Sequence, residues 1–343
     1  MRLEGAIDCD VHCAPASIDA LLPYMDDYWR DYVANAGMTL SPTLTGTYPE
    51  AVSPAPPSDV HALGEEVLDP WGLQRAVLTC ASAFDISRNA YYETALCRAI
   101  NDWLRAEWLE RDERLRASML VPTLDPEAAI EEIERVGDDP RFVAALLPIR
   151  VDARWGTKRF HPLHEAIARH DLALALHAWG RIGAAPTASG ATHTYFEDYL
   201  ANSQAIAQGQ VMSLVAEGVF ERVPDLRVVL LECGFAWLPP MLWRFDKDWK
   251  AVWREVPWLK AKPSEYVQRH FRFATAPAQL PQDREQTAQL AAMLGAAELL
   301  VFASDHPHRH GDGNLELLLD VLDDDGRDAV LRGNAEALYR LAA

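Results

Sequence analysis

Near the amino terminus, Asp10 and His12 have the types and the spacing of metal ligands. They lie in the run Ile7-Asp8-Cys9-Asp10-Val11-His12. In an extended strand successive side chains turn to opposite faces, so Asp10 and His12 share one face with Asp8 below them. A carboxylate beside an imidazole suits a divalent cation such as zinc or manganese. Taken alone, the pair is better read as a capping carboxylate and a hydrogen-bonded core histidine. Further candidates end later apolar runs. His177 closes Leu172-Ala173-Leu174-Ala175-Leu176, Glu232 closes Leu226 to Leu231, and Asp305 follows Glu298 to Ala303. Nitrogen and carboxylate groups drawn from separate strands, with room left for water, are what a catalytic metal site requires. A thiolate zinc site from Cys9, Cys13 and Cys233 is the competing arrangement. The five cysteines lack CxxC spacing, however, and suit reduced thiols better than a disulfide framework.

Elements that could bring these groups together recur along the chain. Strands are expected near residues 7, 76, 117, 144, 173, 228, 271 and 300, most of them followed by a helix. An amphipathic helix is expected from Asn89 to Arg111, with Trp103 and Trp108 on its buried stripe. Asp125-Pro126-Glu127 opens another helix with a cap and a first-turn proline. Longer helical patterns cover Tyr195 to Phe220 and Trp237 to Trp253.

Near-continuous apolar strands separated by helices imply a parallel sheet covered on both sides. Eight such units close into a (β/α)8 TIM barrel of the α/β class. An open doubly wound sheet is the alternative, but Gly180-Arg181-Ile182-Gly183 lacks the third glycine of a dinucleotide fingerprint. In the barrel all strand ends open on one face, so Asp10, His12, His177, Glu232 and Asp305 converge. The expected organisation is one domain over residues 1–343. Residues 16–58 form a lid inserted after the first strand, and residues 181–200 a second loop or lid.

Composition excludes several classes. The 343 residues carry 32 basic against 51 acidic side chains, a net charge of -19 that repels nucleic acid and anionic lipid. Neither a signal peptide nor an apolar run near the ~20 residues of a membrane span is present, so a cytoplasmic protein is expected.

The order Asp10-x-His12, His177, then Ser304-Asp305-His306-Pro307-His308 resembles the amidohydrolase superfamily. The similarity is to its amidohydrolase-related branch, which includes aminocarboxymuconate semialdehyde decarboxylase. Further echoes are Gly218-Val219-Phe220-Glu221-Arg222-Val223-Pro224-Asp225-Leu226 and Gly333-Asn334-Ala335-x-x-Leu338-Tyr339. The resemblance covers nearly the whole chain, with two departures. Asp10 stands where the superfamily commonly has the first histidine of His-x-His, and Glu232 where the branch commonly has a histidine. No lysine ends the fourth strand, so one metal is expected rather than two, zinc first and manganese as the alternative.

The resemblance implies nonoxidative decarboxylation of a small aromatic or enoate carboxylate. Hydrolysis of an amide, lactone or ester by metal-activated water is the second possibility, and a non-catalytic metabolite-binding barrel the third. Asp10, His12, His177 and Asp305 would hold the metal, and Asp305 with Glu232 would do acid-base work. Glu232 could instead serve as a carboxylate that orients His177 or His12. Arg150 could pair a substrate carboxylate, and Trp179, Trp237 and His308 could line its site. The eleven tryptophans, several on the helix from Trp237 to Trp253, together with the resemblance, imply a homodimer.

Overall fold

A computed structural model of the chain describes residues 3–40, 54–82, 88–180, 194, 197, 206–310 and 314–341. The expected strands all form, as β1 (Ile7–His12), β2 (Arg75–Thr79), β3 (Leu115–Leu120), β4 (Phe142–Arg150), β5 (Ala173–Gly180), β6 (Arg227–Leu231), β7 (Phe271–Ala274) and β8 (Leu300–Val301). They pair in sequence order, every neighbour parallel. Backbone bonds draw the last strand onto the first: Cys9 N donates to the Phe302 carbonyl at 2.9 Å, and Asp305 N to the Asp10 carbonyl at 3.0 Å. His12 N donates to the His306 carbonyl at 2.8 Å. The sheet therefore curls into the (β/α)8 barrel, and its closure places Asp305 beside Asp10.

The strands are apolar on both faces because side chains fill the inside and helices cover the outside. In β4, Phe142 to Ile149 are all buried and only the terminal Arg150 reaches partway to solvent. The covering helices begin where the sequence has caps. Asn89 accepts from Tyr91 N and Tyr92 N at the start of α1 (Ala90–Leu104), and Asp125 from Glu127 N and Ala128 N at the start of α2 (Pro126–Val136). Trp103 and Trp108 are buried, as their spacing predicts.

Two boundaries differ from expectation. β8 is only two residues long, because the chain leaves Gly295 at φ +70° and spends Ala296–Leu299 in a helical turn. The helical stretch ending at Phe220 is broken at Gly218, φ +72°, where a β-carbon would lie 2.4 Å from the Trp258 ring. Only glycine fits that position.

The first insertion, residues 16–58, is described in part. Ile18–Tyr24 and Asp27–Ala36 are helical and pack along α1: Trp29 meets Tyr92 with ring centroids 5.5 Å apart, and Tyr24 Oη donates to Glu107 at 2.8 Å. Residues 41–53 of this expected lid lie outside the described residues, as does nearly all of 181–200. Among the described residues no helix is long and apolar enough to cross a membrane.

Candidate metal centre

The strand alternation read from Asp10-x-His12 places both side chains inside the barrel, where they are 0% and 2% exposed. His177 on β5 and Asp305 after β8 join them, both fully buried. One ligand-type atom from each of the four lies within 4.8 Å of the others. His12 Nε2 is 2.8 Å from Asp305 Oδ1 and 3.9 Å from Asp10 Oδ1. His177 Nε2 is 3.3 Å from Asp10 Oδ2.

These last two atoms test whether a metal belongs here. Both are buried, and neither has a hydrogen-bond partner, although they are close enough to share one. An unsatisfied carboxylate oxygen facing an unsatisfied imidazole nitrogen is costly unless a third group sits between them. Atoms bound to one cation at ~2.1 Å stand about 3 Å apart. Two imidazoles and two carboxylates are a donor set for a divalent transition metal. The residues fit the ion.

Asp305 and Glu232 both leave their strands through the left-handed region, at φ +57° and +55°. Non-glycine residues adopt that conformation at a cost that local structure must hold in place, and functional sites are where such residues cluster. Asp305 is gripped on every side. Oδ1 meets His12 Nε2 and, at 3.1 Å, His308 Nδ1, while Oδ2 meets His310 Nε2. Burial opposes its ionisation, but the three histidines hold the carboxyl well below the usual carboxylate range. Burial would lower His308, yet the Asp305 charge and hydrogen bond carry it up to about 9. His310 is largely buried, and its bond to Asp305 raises it against the opposing effect of burial.

Glu232 stands just after β6 with its side chain 12% exposed, and Oε2 lies 3.8 Å from His177 Nδ1. It also forms a ligand-type group with Asp305 and His308. A glutamate side chain is ordinarily ionised at neutral pH. Burial, and then the neighbouring Asp305 charge, push it up to about 7 in the metal-free molecule. A nearby cation would pull it back down.

The remaining candidates divide. Trp179 lies against the centre, its ring 3.9 Å from that of His177, and the His308 ring is 4.5 Å from that of His12. Arg150 ends β4 beside Gly180 of β5, on the same barrel face. Trp237 is tied into the loop after β6, donating to the Cys233 carbonyl at 3.0 Å and meeting Phe273 edge-on. The cysteine alternative fails. Cys9 turns to the Ile7 carbonyl and Cys233 to the Leu231 carbonyl, the free thiol of Cys13 lies against that of Cys80, and no cysteine joins a ligand cluster among the described residues.

Two further residues support the centre, neither assigned a role from sequence. Thr79 Oγ1 donates to Asp10 Oδ1 at 2.6 Å. Asp8 Oδ1 accepts from Asp10 N at 3.2 Å and Ser304 N at 3.0 Å, joining the segments that carry three of the four groups. Burial pushes the Asp8 carboxyl up to about 7 against those Ser304 bonds. The detectable signal for Asp8 was its place in the Asp10 row. For Thr79 it was the end of a strand next to β1.

The chain is similar to a gamma-resorcylate decarboxylase of Rhodococcus jostii, 27% identical over 268 residues, which cover 72% of this chain and 77% of that protein. Its fold is shared with 5-carboxyvanillate decarboxylase from Sphingomonas paucimobilis, at TM-score 0.71 and 23% identity over 98% of this chain and 99% of that one. It is also shared with a dihydroxybenzoic acid decarboxylase from a Polaromonas species, which holds manganese and the inhibitor 2-nitroresorcinol. There the TM-score is 0.66 and the identity 18%, over 98% of this chain and 97% of that one. A family model described as amidohydrolase matches residues 7–341, nearly the full length that builds this barrel and its buried centre, and the chain belongs to that family.

Proposed function

We propose that this protein is a metal-dependent nonoxidative decarboxylase acting on a small aromatic or enoate carboxylate. The observation that carries this reading is the buried group Asp10, His12, His177 and Asp305, with two ligand atoms left unsatisfied, in a chain whose relatives are named decarboxylases. Those four residues would hold one divalent ion. When bound, it would fix an oxygen of the substrate and stabilise charge that builds up as the carboxylate leaves. Two carboxylate donors, and the manganese in the Polaromonas relative, favour manganese over the zinc expected from sequence.

Loss of carbon dioxide requires a proton for the carbon that carried it. Asp305 would bind the ion and already accepts from His308 and His310, so proton movement is assigned first to Oε2 of Glu232, which keeps some contact with solvent. Trp179 supplies an aromatic wall beside His177, while Arg150 and His308 are the groups proposed to hold substrate oxygens. We also propose a homodimer formed through the exposed Trp243, Val252 and Trp253. The five buried free cysteines support a reducing, cytoplasmic location.

Two measurements test the reading. The isolated protein should carry close to one divalent ion, mostly lost in His177→Ala. With manganese supplied, a panel of hydroxylated benzoates and enoates should yield carbon dioxide. Hydrolysis of lactones or amides with no carbon dioxide from any carboxylate would overturn it.

A further inference from the structure

The structure assigns to Thr79 a positioning role: it holds Asp10 so that a single carboxylate oxygen faces the metal centre. The inference rests on the metal-centre reading above and goes beyond it in naming what sets the denticity of Asp10. Thr79 ends β2, is fully buried, and stands in register with His12 on β1. Its hydroxyl donates to Asp10 Oδ1 at 2.6 Å, a short bond to an ionisable partner of the charge-assisted kind. The other oxygen, Oδ2, has no partner and faces His177 Nε2 at 3.3 Å.

The physical need for such a residue follows from putting an aspartate at this position. A carboxylate has two equivalent oxygens and a broad terminal torsion, so it can bind a cation through one oxygen, through both, or alternate between them. An imidazole has no such freedom. Thr79 removes the ambiguity by occupying Oδ1. Its own β-branched side chain has few rotamers, so the hydroxyl is already placed before an ion arrives. Asp10 then behaves as a single-atom ligand, which leaves a coordination position open for substrate. Were Thr79 merely a satisfied core residue, its hydroxyl would be equally content on a backbone carbonyl; instead its one proton goes to Asp10 Oδ1.

The test uses the full-length protein, stripped of metal and titrated with manganese by calorimetry. Thr79→Val keeps the shape and removes the hydroxyl; Thr79→Ser keeps the hydroxyl. Thr79→Val should weaken manganese binding by roughly 10- to 100-fold, and Thr79→Ser by no more than about 3-fold, as expected when a bond that orients a ligand is lost or kept. In an Asp10→His background, where there is no second oxygen to occupy, Thr79→Val should leave affinity unchanged. The metal-free melting temperatures of the Thr79 variants report folding independently.

Unchanged affinity in Thr79→Val, or an equal loss in the Asp10→His background, overturns the inference. If Asp10→His fails to fold, the comparison of valine with serine decides: equal losses in both refute the role of the hydroxyl. A wild-type protein that binds no manganese, or binds it as tightly after His177→Ala, overturns the metal centre itself and this inference with it. Wild-type binding that depends on His177 but ignores Thr79→Val overturns this inference alone.

Discussion

Exchanging Glu232 for glutamine separates proton transfer from support of the metal centre. The change keeps the volume of the side chain and removes its acid. Oε2 of Glu232 lies 3.8 Å from His177 Nδ1, beyond hydrogen-bonding distance, so glutamine breaks no bond that orients His177. Loss of an orienting partner typically weakens a metal site by roughly 10- to 100-fold, and the effect here should fall below that range. Turnover should behave differently. A placed acid-base group is worth ~100-fold or more. That corresponds to about 2.7 kcal/mol of activation free energy. The assay is carbon dioxide release across a manganese titration, comparing rates once the metal is saturating. The expected result for Glu232→Gln is near-normal half-saturation by metal with a rate at least ~100-fold lower. Near-wild-type turnover at saturating manganese would refute the proton-transfer role. A clear affinity loss with turnover restored by excess metal would make Glu232 a support for His177 instead.

Two further outcomes are accessible. His164 is fully buried with both ring nitrogens unpartnered, and burial lowers it from 6.5 to about 3. Below pH 6.5 only the unfolded chain takes up this proton, so its contribution is complete above that pH and is lost as pH falls toward 3, by at most about 1.4 kcal/mol per pH unit. Urea unfolding at pH 7.5 and pH 5 should therefore show a loss of about 2 kcal/mol that is missing in His164→Leu, and an identical pH dependence in the variant would refute the assignment. The proposed homodimer follows from Trp243, Val252 and Trp253, which are 60%, 47% and 46% exposed on and just after the helix Leu238–Val252. Light scattering at micromolar concentration should give twice the chain mass, and a monomer would end the idea.

Much of this molecule was determined by its sequence, for local reasons. The apolar runs had to become strands covered on both faces, and the caps Asn89 and Asp125 sit at the residue where their helices begin. The period of two along Ile7 to His12 fixed Asp10 and His12 on one face before any neighbour was known. Parallel strands with helical crossovers bring every carboxyl end to the same rim, so His177, Glu232 and Asp305 could be drawn there from the barrel alone.

Contacts between residues far apart in the chain were decided only by the tertiary structure. Thr79 meets Asp10 because β2 lies beside β1 in a specific register, which an isolated threonine does not advertise. Asp8 ties Ser304 to Asp10 only where the barrel closes. His310 meets Asp305 only because the chain beyond Asp305 folds back over the carboxylate. The same crowding raised Glu232 toward 7, since the cost of charging a carboxyl is set by what surrounds it. Strand pattern tells which way a side chain points; packing decides what it finds there and hence its charge.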